Sequence, residues 1–143
     1  MSDCDFCGIV RGEQDAKVVL RTNEVVAFLP LKPATLGHTL VVPVQHIADI
    51  WAMTPSVGAQ LAEATTALAH AVRDAYSPGG LNIVQSNGAV ATQTVPHLHV
   101  HVVPRYSRDD LGPIWPTDPA PTAQSPGAIA ERLRQALAGL DGR

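Results

Sequence analysis

The run His97-Leu98-His99-Val100-His101-Val102-Val103 constrains this chain more than any other segment. Side chains on a β-strand alternate between faces. His97, His99 and His101 therefore share one face, and Leu98, Val100 and Val102 share the other. Successive imidazoles on such a strand lie about 6.6 Å apart. The aliphatic face suits a core, whereas three adjacent imidazoles are costly to bury without partners. Two chemistries fit the histidine face. One is metal ligation by two or three imidazoles. The other is nucleophilic catalysis by one imidazole, with neighbours holding its tautomer and the leaving group. Spacing alone does not choose between them.

A run like this needs a sheet, and the chain supplies one. Val18–Leu20 and Val25–Leu29 are apolar, largely β-branched runs separated by Arg21-Thr22-Asn23-Glu24, which reads as a hairpin. Further strands are expected at 39–42, 81–85 and 98–103, with Pro43 and Pro104 closing two of them. Thr54-Pro55 is a helix start, an N-cap followed by proline at the first helical position. Val57, Leu61, Ala64, Leu68, Val72 and Ala75 then recur every three or four residues, and Ser77-Pro78-Gly79-Gly80 stops the helix. Five prolines between Pro113 and Pro126 predict an extended segment, and residues 128–140 a last amphipathic helix. Short links favour antiparallel pairing. The expected class is α+β, with one long helix on a five-stranded sheet.

Composition narrows the partners. The chain has 143 residues, enough for one domain. Aromatics make up only 4%, so the core must be aliphatic. Ten basic against thirteen acidic side chains give a net charge of -3, which argues against polymeric nucleic acid and anionic membranes. The start Met1-Ser2-Asp3-Cys4-Asp5 lacks a basic region followed by an apolar run, so a cytoplasmic location and no membrane partner are expected.

Cys4-x-x-Cys7 reads as a redox pair, a free surface pair or half of a zinc site. A redox pair is expected after a strand, and none precedes it. A closed zinc site needs four ligands, so two would come from histidine. His38, His46, His70 and the three-histidine strand are the candidates. His70 lies off the apolar stripe and reads as solvated. His46 follows a strand end, where its side chain can turn back over the sheet, so a Cys4, Cys7, His46, His97 set is plausible.

These residues carry a resemblance. Cys4-x-x-Cys7, Phe28, Pro33, Gly37-His38-Thr39-Leu40-Val41-Val42-Pro43-x-x-His46, Asn82-Ile83, Asn87-Gly88, Gln93-Thr94-Val95 and His97-x-His99-x-His101-Val102-Val103-Pro104-Arg105 occur in the order seen in the histidine triad (HIT) family. The likeness spans about residues 4–105. It implies a HIT domain over 1–112; beyond it the prolines give an extended segment over 113–126 and the apolar spacing a helix over 127–143, expected to pack on the domain or on a dimer partner. It also implies an antiparallel five-stranded sheet continued across a homodimer. The implied function is a nucleotide hydrolase or phosphoramidase that cleaves at the α-phosphorus through a covalent nucleotidyl-histidine. His99 matches the nucleophile and His101 the phosphate contact. Ser86, Gln93 and Thr94 match positions near the phosphate, and His38 is a neighbour of the site. Phe6, Ile9, Phe28 and Leu31 match the apolar nucleobase slot. Cys4, Cys7, His46 and His97 match the ligands of a structural zinc.

The match has departures. Pro30 stands where many relatives place an acidic residue that holds the ribose hydroxyls. Ser86 replaces a longer amide side chain, Leu36 a proline and Thr92 a glycine. If position 92 needs positive φ, threonine strains it. Three other readings stay open: a nucleotidyl transferase using the same intermediate, a zinc-stabilised nucleotide-binding module with little catalysis, and a catalytic metal on all three strand histidines.

Overall fold

The computed structural model describes residues 4–140, which form two compact units dividing after Leu111. The first unit is α+β. Its order is α1 (Asp5–Val10), β1 (Val18–Arg21), β2 (Val25–Phe28), β3 (Thr39–Pro43), α2 (Pro55–Tyr76), β4 (Gly80–Gln85) and β5 (Val100–Arg105). The five strands make one antiparallel sheet in the order β1-β2-β3-β5-β4. In the second unit α3 (Pro126–Ala138) is capped by Ser125 Oγ and exposes Leu133 and Leu137.

Alternation along the strands sorts side chains into two clusters, one on each face. Val25, Ala27, Val41, Val100 and Val102 point towards α2, which presents Leu61, Ala64, Leu68 and Val72. The opposite residues Val26, Phe28, Leu40 and Val42 join Phe6 of α1. Thr54 Oγ1 accepts from Val57 N–H at the start of α2, as the Thr-Pro pair predicts. The buried stripe stops at Val72, and Ala75 is exposed.

One expected strand is displaced along the chain: it runs from Val100 through Pro104 to Arg105 rather than over 98–103. β5 begins at Val100, so His97 and His99 precede it and only His101 lies within it. The cause is a competing hydrogen bond. Leu98 N–H donates to the Ile47 carbonyl at 2.7 Å, drawing the chain off the β3 ladder, which ends at the Val41–Val100 pair. The ring centroids of His99 and His101 are 4.9 Å apart, closer than a regular strand sets them.

Thr92 has φ +70°, in the left-handed region that threonine disfavours. That conformation costs a residue with a Cβ roughly 1–2 kcal/mol. Replacement by glycine, Thr92→Gly, is expected to leave stability unchanged or raise it by up to about 1 kcal/mol in urea titration. Leu61→Ala empties a 4%-exposed position under the sheet and should cost about 2–5 kcal/mol in the same measurement.

Candidate active site and metal centre

α1 carries Cys4 and Cys7 one turn apart, and Cys7 N–H donates to Cys4 Sγ at 3.3 Å. His46 follows β3 and His97 precedes β5, and both rings reach the thiols. Cys7 Sγ lies 3.2 Å from His46 Nδ1 and 3.4 Å from His97 Nδ1, and Cys4 Sγ lies 3.4 Å from His97 Nδ1. All four donor atoms fall within 4.8 Å of one another. Around tetrahedral zinc, a sulfur and a nitrogen donor sit about 3.6 Å apart, so the four residues fit such an ion.

The protonation chemistry of the donor set agrees. His97 is fully buried, and its Nε2 lies 2.9 Å from the Pro43 carbonyl. A carbonyl only accepts, so Nε2 carries the proton and Nδ1 turns its lone pair to the thiols. Burial holds His97 below the ordinary imidazole range, despite the bond to Pro43. Burial, reinforced by the hydrogen bond and charge of Cys4, pushes the Cys7 thiol up. A divalent cation is the partner that makes two adjacent thiolates favourable here.

The backbone also orders His99 and His38, and His38 in turn orders His101. His99 Nδ1 lies 2.8 Å from the His97 carbonyl, so it donates there and Nε2 keeps a free lone pair. Phe6 stands edge-on to the His99 ring at 5.1 Å and to Phe28 at 5.3 Å. Ala34 N–H donates to His38 Nδ1 at 2.9 Å. His38 Nε2 therefore bears the proton and donates to His101 Nδ1 at 3.0 Å. Neutral His101 then keeps its N–H on Nε2, beside His99. Gly37 permits this arrangement: its φ is +88°, and a Cβ there would meet Tyr76 at 3.2 Å and Pro104 at 3.3 Å.

The remaining sequence candidates are placed unevenly. Phe6, Phe28 and Ile9 share the α1-side cluster, but Leu31 is 96% exposed and outside it. Gln93 buckles its own loop: Oε1 accepts from Gly88 N–H, and Nε2 donates to the Ala48 and Val95 carbonyls. Thr94 is exposed and Ser86 half-buried. His70 is exposed and accepts from Arg73. Pro30 closes β2 and lines a cleft with Leu29, Pro33 and residues of α2. The carbonyls of Pro43 and His97 and the N–H of Ala34 do the ordering, and no side-chain motif signals them.

Burial lowers the pKa of His38, and burial with the charges of His99 and His101's partner His38 lowers that of His101 to about 4. An unfolded chain takes up these protons below about pH 6.5. The contribution of the two neutral rings to stability is therefore complete above that pH. It is lost as the pH falls from about 6.5 towards 4, where folded His101 itself titrates. Nitrogen-15 NMR should show His101 protonated at Nε2 alone near neutrality, with a midpoint near pH 4.

The HIT domain family model matches residues 11–108. Protein hit of Bacillus subtilis is 36% identical over 137 residues, covering 92% of this chain and 94% of that one. An adenosine 5'-monophosphoramidase of Schizosaccharomyces pombe is 33% identical over 117 residues, covering 81% and 85% of the two chains. A zinc-bound histidine triad family protein from Mycobacterium smegmatis superposes with a TM-score of 0.73 at 35% identity, covering 98% and 96%. In sequence, in sheet topology and in its clustered histidines, this chain belongs to the histidine triad family.

Proposed function

We propose that this protein is a nucleotide hydrolase or phosphoramidase whose nucleophile is His99 Nε2. The observation that carries the reading is the 2.8 Å bond from His99 Nδ1 to the His97 carbonyl. It places the proton on Nδ1 and leaves the Nε2 lone pair free to attack. An uncharged nucleophile also avoids repulsion from the anionic oxygens of a phosphate ester.

In this reading Nε2 attacks the α-phosphorus of a nucleoside phosphoramidate or a nucleoside polyphosphate. A phosphorus–nitrogen bond forms, and the bond to the amine or phosphate leaving group breaks. Water then cleaves the nucleotidyl-His99 bond, releases the monophosphate and restores the imidazole. His101 Nε2–H, held by His38, donates to a phosphoryl oxygen as charge develops there. Ile9, backed by the buried Phe6 and Phe28, would offer apolar surface to a base, and Ser86, Thr94 and the loop that Gln93 buckles would border the phosphate. Leu31 is exposed and lies outside this apolar cluster.

The Cys4, Cys7, His46, His97 set would hold zinc in a structural role. Its four protein donors would supply the full ligand set of a closed zinc site and leave none to be filled by substrate. The ion would tie α1, and with it Phe6, to the base of the site.

The proposal includes a homodimer in a shared sheet. β4 is an edge strand of six residues, longer than the opposite edge β1, whose register is broken between Val18 and Leu20. A long regular edge with half-exposed Ile83 favours pairing with a second copy. Among the described residues no helix is long and apolar enough to cross a membrane. The expected setting remains the cytoplasm, with a small nucleotide as partner.

The reading is tested by turnover of adenosine phosphoramidate. His99→Ala should lower kcat/KM by on the order of 10³-fold or more and abolish the trapped nucleotidyl adduct. Equal rates in the two proteins would remove His99 from the mechanism. Product analysis with added phosphate acceptors separates a hydrolase from a transferase. Chelation at neutral pH should lower the melting temperature if zinc holds α1 in place, and added zinc should restore it.

A further inference from the structure

The two thiols are closed in by protein on one side and reachable on the other. Cys4 is half-buried while Cys7 is 8% exposed. A cleft of about 390 Å³ is lined by Cys4, Cys7, Val10, Arg11, Val44 and His46. Four-ligand structural sites are ordinarily inert when their sulfurs are enclosed. Here a small neutral molecule has an approach to Cys4 that does not require unfolding. The second thiol lies one helical turn away, and the two share the Cys7 N–H···Cys4 Sγ contact.

We propose that the Cys4–Cys7 pair is a site of reversible oxidation by hydrogen peroxide, and that this oxidation dismantles the four-donor set. The inference rests on the metal reading given above. The thiolate of Cys4 attacks one peroxide oxygen and the oxygen–oxygen bond breaks, giving a sulfenic acid on Cys4 and hydroxide. The thiolate of Cys7 then attacks the Cys4 sulfur, a disulfide forms, and a second hydroxide leaves. Two thiolates lose two electrons in total, the peroxide gains them, and two protons complete two waters. The sulfurs are less than 4.8 Å apart and must close to about 2.05 Å, a movement within one turn of α1.

The consequence extends beyond the thiols. His46 and His97 alone are two of the four donors zinc needs, so a disulfide leaves the site unable to retain the ion. α1 is then no longer tied to His46 and His97. Phe6, the α1 residue that meets the His99 ring edge-on, is the part of the helix through which this reaches the nucleophile.

The experiment uses the full chain loaded with zinc and reads metal, thiols and mass rather than activity. Zinc uptake is measured first, then hydrogen peroxide is titrated in with a chromophoric chelator present. The expected result is release of one zinc per chain together with loss of both thiols. Intact mass should fall by two hydrogens relative to the reduced apoprotein, and a proteolytic fragment should carry a Cys4–Cys7 disulfide. Dithiothreitol followed by zinc should restore full metal content. A chain that takes up no zinc overturns both this inference and the metal reading. A chain that holds zinc but retains it under peroxide overturns this inference alone. So does release accompanied only by added oxygen atoms that dithiothreitol does not remove.

Discussion

His97 is the residue on which the rest of the site depends. Its imidazole is buried between a carbonyl and two thiols, so both ring nitrogens are assigned by their partners. Its own carbonyl takes the proton of His99 Nδ1. One residue thus borders both the four-donor cluster and the His99 ring. Anything that shifts its backbone alters the donor geometry on one side and the tautomer of His99 on the other. The β5 ladder stops short of it for the same reason: Leu98 is bonded to Ile47, and His97 is free to face Pro43 instead of a strand neighbour.

Much of this was legible in the sequence because it rests on periodicity. The spacing of Leu61, Ala64, Leu68 and Val72 placed α2, and its Thr-Pro start is the observed cap. The alternation around Val100 and Val102 placed β5 and the face that carries His101. The Cys4-x-x-Cys7 spacing and the position of His46 after a strand pointed to the cluster the structure assembles. What periodicity could not show is where a strand gives way. Alternation through residues 97–101 implies a regular strand, but one bond from Leu98 N–H to a distant carbonyl overrides it.

The backbone partners were hidden for a related reason. Every residue has a carbonyl and nearly every one an N–H, so neither leaves a mark in the sequence. The N–H of Ala34 fixes His38, yet alanine at that position predicts nothing. The exposure of Leu31 and the three bonds of Gln93 were likewise invisible. Both are set by the path of a loop, which composition constrains only weakly. Thr92 is the exception: a β-branched residue in place of glycine flagged a strained turn, and its φ of +70° shows that the chain accepts the strain.

The chain of neutral rings from Ala34 through His38 to His101 has an electrostatic consequence. Under the proposed function, a phosphate arriving at this site would be met at His101 by an N–H dipole rather than by a cation, on a chain whose own net charge is -3. Capture then owes little to long-range attraction and much to contact, so the encounter rate should vary weakly with ionic strength. Under the same reading, product release would gain from this arrangement. A monophosphate leaving the site would have no imidazolium at His101 to hold it back, and turnover would be spared the tight grip that a fixed positive charge places on an anion.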